Sequence, residues 1–317
     1  MNFSVSGVDI FPGIPLLVAF VISFFTSMGG VSGAFLLLPF QVSILGFTSP
    51  SVSSTNLVYN IIAIPSGVYR YIKEGRMAWP LAWVIIAGTL PGVLIGVVIR
   101  IIFLPDPRAF KFFVGCVLLY IALRLLYDIA PIASNRKKRT ITLENKFKEE
   151  WTRRLKEDRL NEKTTQRIKT VKFSLTAYTY EFYGETFSFN TIILFLLTMV
   201  VGLIGGVYGI GGGAIIAPFL IAIFGLPVYT IAGAALLGTF VTSIVGVLFY
   251  TIVAPMYAYT GLSIVPDWKL GIIMGIGGFL GVYSGARIQK YFPAKIIKLI
   301  LGGVILLLSI KYIYNFF

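Results

Sequence analysis

Two glycine-rich stretches are the places in this chain where residue types and spacing could hold a ligand: TSMGGVSG over Thr26–Gly33 and GGVYGIGGG over Gly205–Gly213. Each joins two hydrophobic segments, and so many glycines weaken a helix at that point. Inside a membrane, irregular backbone persists only where protein or a watery cavity satisfies its polar groups. Glycine lets successive N–H groups turn toward one point and lets a ligand come close. A helix that restarts just beyond, at Ala34 and at Ala214, presents a partial positive charge suited to an anion. The candidate binding residues are therefore Gly29, Gly30, Ser32 and Gly33 in the first stretch. In the second they are Tyr208, Gly209, Gly211, Gly212 and Gly213. Polar neighbours extend the set with Thr26, Ser27, Gln41, Thr55, Asn56, Thr239 and Ser243. Asn and Gln are costly in a membrane unless paired, which points Asn56 and Gln41 toward a shared cavity. The hydroxyls are weaker candidates, because Ser and Thr in helices also bond their own backbone.

What is missing narrows the chemistry. Outside the centre of the chain the only acids are Asp9, Glu74, Asp106, Asp128 and Asp267, all at segment ends or in loops. No cation site and no carboxylate proton relay is expected in the membrane. The chain has no histidine, which removes the commonest metal ligand and proton shuttle. One cysteine, Cys116, can form no internal disulfide. No metal or cofactor is expected, and with no histidine, thiol pair or carboxylate pair an enzyme is disfavoured. The glycine loop does not suit a dinucleotide, since no soluble strand precedes it and no acidic residue follows on another strand. The deepest cations, Arg100 and Arg287, lie near helix ends and are expected to snorkel.

The elements that must position these residues are membrane helices. Of 317 residues, 57% are hydrophobic and only 13% charged, with a mean hydropathy of +0.87. A soluble domain carries about 25% charged residues. The net charge of +14 does not mark a nucleic-acid groove, because 14 of the 27 Lys and Arg lie between Arg136 and Lys172. That clustering follows the positive-inside pattern. Residues 12–28 resemble a signal segment but have neither a basic start nor a small-residue cleavage site, and are read as mature membrane protein.

The chain repeats. Gly30, Gly33, Pro39, Phe40 and Gly46 recur at an offset of 179 as Gly209, Gly212, Pro218, Phe219 and Gly225. Gly88, Gly92 and Gly96 recur at an offset of 189 as Gly277, Gly281 and Gly285, and their spacing suits close helix packing. Each half has five hydrophobic segments: 12–28, 33–46, 52–72, 79–103 and 109–127, then 190–204, 213–226, 229–253, 268–290 and 296–316. An odd number per half inverts the second half in the membrane. The expected fold is therefore an all-α polytopic membrane protein of two inverted repeats, residues 1–133 and 189–317, around a basic cytoplasmic insert over 134–188. Both termini are then outside. The first two segments of each half are short, and are either tilted spans or re-entrant half-helices. In the insert, residues 143–163 have helical spacing and 170–189 suit a β-hairpin turning at Tyr183-Gly184-Glu185.

GLIGGVYGIGGGAIIAPFL over Gly202–Leu220, with Gly225-Leu226-Pro227 and the small residues of 232–238, resembles the repeat signature of the TauE/SafE sulfite-exporter family. VSGAFLLLPF and Ser54-Thr55-Asn56-Leu57 look like a degenerate first copy. The resemblance implies a secondary transporter in the cytoplasmic membrane that exports a small sulfur-containing anion such as sulfite or a sulfonate. It implies partners limited to that anion and the lipid bilayer, with room for a homo-oligomer or a cytoplasmic partner at the insert. Two alternatives stay open: a receptor or scaffold acting through the insert, and a transporter of a different small anion.

Overall fold

The computed structural model describes residues 1–28, 32–73, 77–129, 169–174, 176–182, 185–224, 226, 228–288 and 294–317. The helix expected over 143–163 and the turn at 183–184 lie outside them. The first half contains α1 (Gly13–Met28), α2 (Ala34–Ser43), α3 (Ser51–Ala63), α4 (Pro65–Lys73), α5 (Trp79–Ile102) and α6 (Pro107–Ile129). The second contains α7 (Thr191–Tyr208), α8 (Ile216–Phe224), α9 (Val228–Val253), α10 (Trp268–Ile288) and α11 (Ala294–Tyr314). Four helices among the described residues are long and apolar enough to cross a membrane. Their outer faces carry exposed Ile95, Leu123, Leu196, Val200 and Ile252, as α1 carries Leu17 and α11 Leu307, side chains that suit lipid and not water.

Local chemistry sets the helix ends. Asn190 starts α7 by accepting from the N–H groups of Ile192 and Ile193, at 2.9 and 3.1 Å. Gly209 ends it in the left-handed region at φ 81°. Pro65, which has no N–H, splits the segment expected over 52–72 into α3 and α4. Two of the four short segments are too short to span: α2 and α8 have 10 and 9 residues, a rise of ~15 Å or less against a hydrocarbon core of about 30 Å, whereas α7, with 18, is long enough.

The glycine stripes bring backbones together between the halves. A Cβ at Gly88, Gly92 or Gly96 would collide in turn with Phe195 or Thr198, Met199 or Leu203, and Leu203 or Val207. The partners ascend together, so α5 and α7 run parallel. Gly277, Gly281 and Gly285 meet Leu16, Phe20 and Phe24 in the same way, so α1 and α10 run parallel. α3 runs with α10 (Gly271 on Val58, Gly275 on Ile62) and α9 runs with α5 (Gly238 on Ile85, Gly246 on Val93). Gly67 on Leu236 and Gly246 on Leu57 make α9 antiparallel to α3 and α4. Gly115 on Tyr312 and Gly302 on Leu126 make α6 and α11 antiparallel. Each of these helices thus opposes its repeat equivalent in direction, which is the geometry of an inverted repeat.

Three details differ from expectation. Residues 169–189 form three antiparallel strands, β3 (Lys169–Phe173), β4 (Tyr178–Phe182) and β5 (Glu185–Phe189), where one hairpin is expected. A further two-residue pair, β1 (Asn2–Phe3) and β2 (Val8–Asp9), precedes α1. In the three-stranded sheet Tyr178 faces Phe189 and Tyr180 faces Phe187, and Phe189 packs on Phe224 at the end of α8, 5.3 Å between centroids. Arg100 does not snorkel: it is 0% exposed, because the carbonyls of Leu104 and Thr48 and the face of Phe110 replace its water. Arg287 is exposed.

Candidate substrate-binding site

The site grows from the two glycine breaks, which meet inside the bundle. α1 continues through Thr26 and Ser27, and α7 through Gly205 and Gly206, so the breaks are shorter than the glycine runs. α2 restarts at Ala34, and α8 at Ile216, two residues beyond the expected Ala214. Glycine is required at Gly209 and Gly211, where φ is 81° and 78°, a region that costs other residues about 1–2 kcal/mol.

A helix that ends leaves carbonyls without intrahelical partners, and Asn56 and Asn60 of the first half reach those that follow α7. Asn56 Nδ2 donates to the Ala34 carbonyl at 3.0 Å and to the Gly209 carbonyl at 2.9 Å. Asn60 Nδ2 donates to the Ile210 carbonyl at 2.9 Å and its Oδ1 accepts from Ser32. In return the Tyr208 hydroxyl donates to the Phe35 carbonyl at 2.7 Å. Gln41 donates to Asn56 Oδ1, while Gln41 Oε1 is buried without a partner. The Gly212 N–H donates to Thr242, and Ser243 Oγ, beside Gly211, is buried without a partner. Thr26 bonds the carbonyls of Ile22 and Ser23, and Thr55 bonds Ser51 and the N–H of Asp267. Gly29 and Gly30 lie outside the described residues.

A cavity of about 80 Å³ opens beside this junction. At roughly 10–15 Å³ per water it has room for about half a dozen waters, the scale of a small hydrated ion. Five of the candidate residues line it: Ser27, Ser32, Gly33, Gly213 and Thr239. The remaining described candidates are not in the lining; of these Asn56, Gln41 and Tyr208 tie the broken segments together, whereas Thr26 and Thr55 bond elsewhere. Sequence reasoning missed the wall supplied by α3 and α4, namely Tyr59, Gly67, Arg70 and Tyr71, and the small residues Ala232 and Ala235 of α9. Among the described residues, Arg70 is the only charged residue in the lining and no carboxylate faces the cavity. The convergence of Arg70 on the glycine breaks was not visible in the sequence. The lining elements (the C-terminal ends of α1, α4 and α10 and the N-terminal half of α9) all lie at the end of the bundle where α6 enters the insert and α7 leaves it.

Two inverted halves, broken half-length helices meeting inside the bundle, and a cavity between the breaks define a polytopic membrane permease of the inverted-repeat class. The chain belongs to the sulfite exporter TauE/SafE family, whose model matches residues 15–312. Neither the comparison with curated proteins nor that with solved structures returned a match.

Proposed function

We propose that this protein exports a small sulfur-containing oxyanion, sulfite or an organosulfonate, from the cytoplasm by alternating access. One observation carries the proposal: a small cavity lined by hydroxyls and by the starts of two broken helices, with Arg70 as the only charge among the described lining residues. Hydroxyls and the positive ends of helices suit oxyanions, and a described lining without acids offers no competing cation site and no repulsion. The basic insert, placed in the cytoplasm by its charge, puts the mouth of the cavity on the cytoplasmic side. An inside-negative potential then favours exit of each negative charge by roughly 2.3 kcal/mol per 100 mV.

The test is flux of sulfite, sulfoacetate and sulfate from liposomes holding purified protein, comparing wild type with Thr239→Val and Arg70→Gln. The expected result is saturable, potential-sensitive flux of one of these anions, weakened in both variants while each remains monodisperse. Absence of flux and of binding for all three in folded wild-type protein overturns the sulfur-anion assignment.

A further inference from the structure

The cavity has an inverted image at the opposite end of the bundle, and this inference rests on the transport reading. Beside the cavity, Gly67 packs on Leu236 and Val282; at the far end, Gly246 packs on Leu57 and Val93. These contacts are one another's repeat equivalents, since 67 and 246, and 57 and 236, differ by 179, and 93 and 282 differ by 189. By the same offset the lining residues Ala232 and Tyr71 correspond to Ser53 and Tyr250. Ser53, Leu57, Val93 and Tyr250 are all 0% exposed, so this image is packed shut while the cavity at the other end is formed.

The repeat equivalent of Arg70 is Phe249, and the charge arrives from another helix. Arg100, near the end of α5, points its Nε at Ser53 Oγ, 3.4 Å away, and its Nη2 at the Thr48 carbonyl, 3.3 Å away. Nη1 bonds the Leu104 carbonyl, and the guanidinium lies 3.7 Å from the centroid of the Phe110 ring. All of these partners are neutral. Among the described residues no carboxylate lies within ion-pair distance of Arg100. The hydroxyl of Tyr250 faces Arg100 and Ser53 and forms no hydrogen bond of ordinary geometry. A buried cation without a counter-charge is costly, and so is a buried hydroxyl without a partner. A single small anion would relieve both.

We propose that Arg100, Ser53 and Tyr250 form a second anion site, the outer counterpart of the cavity, which receives the oxyanion when the far end opens. The guanidinium fork takes two oxygens, and the hydroxyls of Tyr250 and Ser53 take the remaining acceptor positions. In the conformation described here Arg100 instead bonds the Thr48 and Leu104 carbonyls, tying the α2–α3 connection to the end of α5 and so closing the far end.

The experiment uses the full chain in phosphatidylcholine–phosphatidylglycerol liposomes, with sulfite as probe and orientation determined by protease access to the insert. Half-saturating sulfite is measured separately from each face for wild type, Arg100→Gln and Arg100→Lys. The expected result is a rise of about tenfold or more on the outer face for Arg100→Gln, equivalent to ~1.4 kcal/mol. The inner face stays within about twofold, and Arg100→Lys recovers part of the loss, since a point charge replaces the fork. Equal shifts on both faces, no shift, or no rescue by lysine assign Arg100 a purely structural role and overturn the proposal. If wild type moves no sulfite, the transport reading has failed for that anion, and calorimetry decides the site on its own. Sulfite binding lost in Arg100→Gln and kept in Arg100→Lys supports it; no binding, or equal binding in all three, overturns it.

Discussion

The glycines of the helix stripes and those of the breaks are the same residue used for opposite ends. Gly88, Gly92 and Gly96 sit within regular α5, and their missing side chains let the backbone of α7 approach until a single methyl would overlap it. Gly209 and Gly211 interrupt regularity, with φ values of 81° and 78° that a side chain would resist wherever it pointed. In lipid there is no hydrophobic drive between helices, so the stripes supply close van der Waals packing that holds the halves together. The breaks supply no packing of comparable extent; they release backbone groups toward a cavity. One set packs the halves together, and the other leaves a cavity inside the bundle.

The sharpest way to break this contrast is to overfill a stripe. Gly92→Leu places its side chain against the backbone of Met199, Gly202 and Leu203. We expect a loss of at least ~3 kcal/mol, at the upper end of overpacking costs, seen as disappearance of the monodisperse peak in detergent. A folded Gly92→Leu protein would show that the stripe does not hold the halves together. Gly211→Ala tests the breaks. Its backbone strain of about 1–2 kcal/mol leaves the fold intact, but its Cβ meets Thr239 Cγ2 at 2.9 Å and displaces a residue that lines the cavity. We expect normal yield with sulfite half-saturation raised by about tenfold, or ~1.4 kcal/mol of binding; unchanged affinity would separate the break from the site. The smallest effect belongs to a glycine of neither kind. Gly303 lies within α11 with open space around its Cβ position. Gly303→Ala should raise thermal stability by about 0.5–1 kcal/mol through helix propensity alone and leave flux unchanged.

Much of this was legible from residue order because glycine spacing carries geometry. The four-residue stripes identified the helix contacts, the offsets of 179 and 189 identified the repeat, and the odd number of segments per half identified the inversion that the contact directions display. Break boundaries were less legible. Gly205 and Gly206 remain helical because the backbone at Val93 of α5 and the Gly211–Gly212 turn fit closely against them, a tertiary effect that composition does not carry. The same limit applies to Asn56 and Asn60. Their polarity marked a buried role, but only the fold shows them donating to the carbonyls of Ala34, Gly209 and Ile210. Arg70 and Tyr71 were hidden because only the fold brings α4 against the glycine breaks. β3 lay within the range expected for the hairpin but was not separated from β4, because residues 174–177 carry no glycine or proline to mark a turn.

The lone thiol of Cys116 has a consequence for chemical durability. It is exposed on α6, and a chain with one cysteine closes no internal disulfide. Sulfur nucleophiles, sulfite among them, attack disulfide sulfurs in the manner of thiolates. A fold fastened by glycine-mediated helix contacts and capped carbonyls contains no such bond to cleave, so its architecture is chemically inert toward the cargo proposed for it.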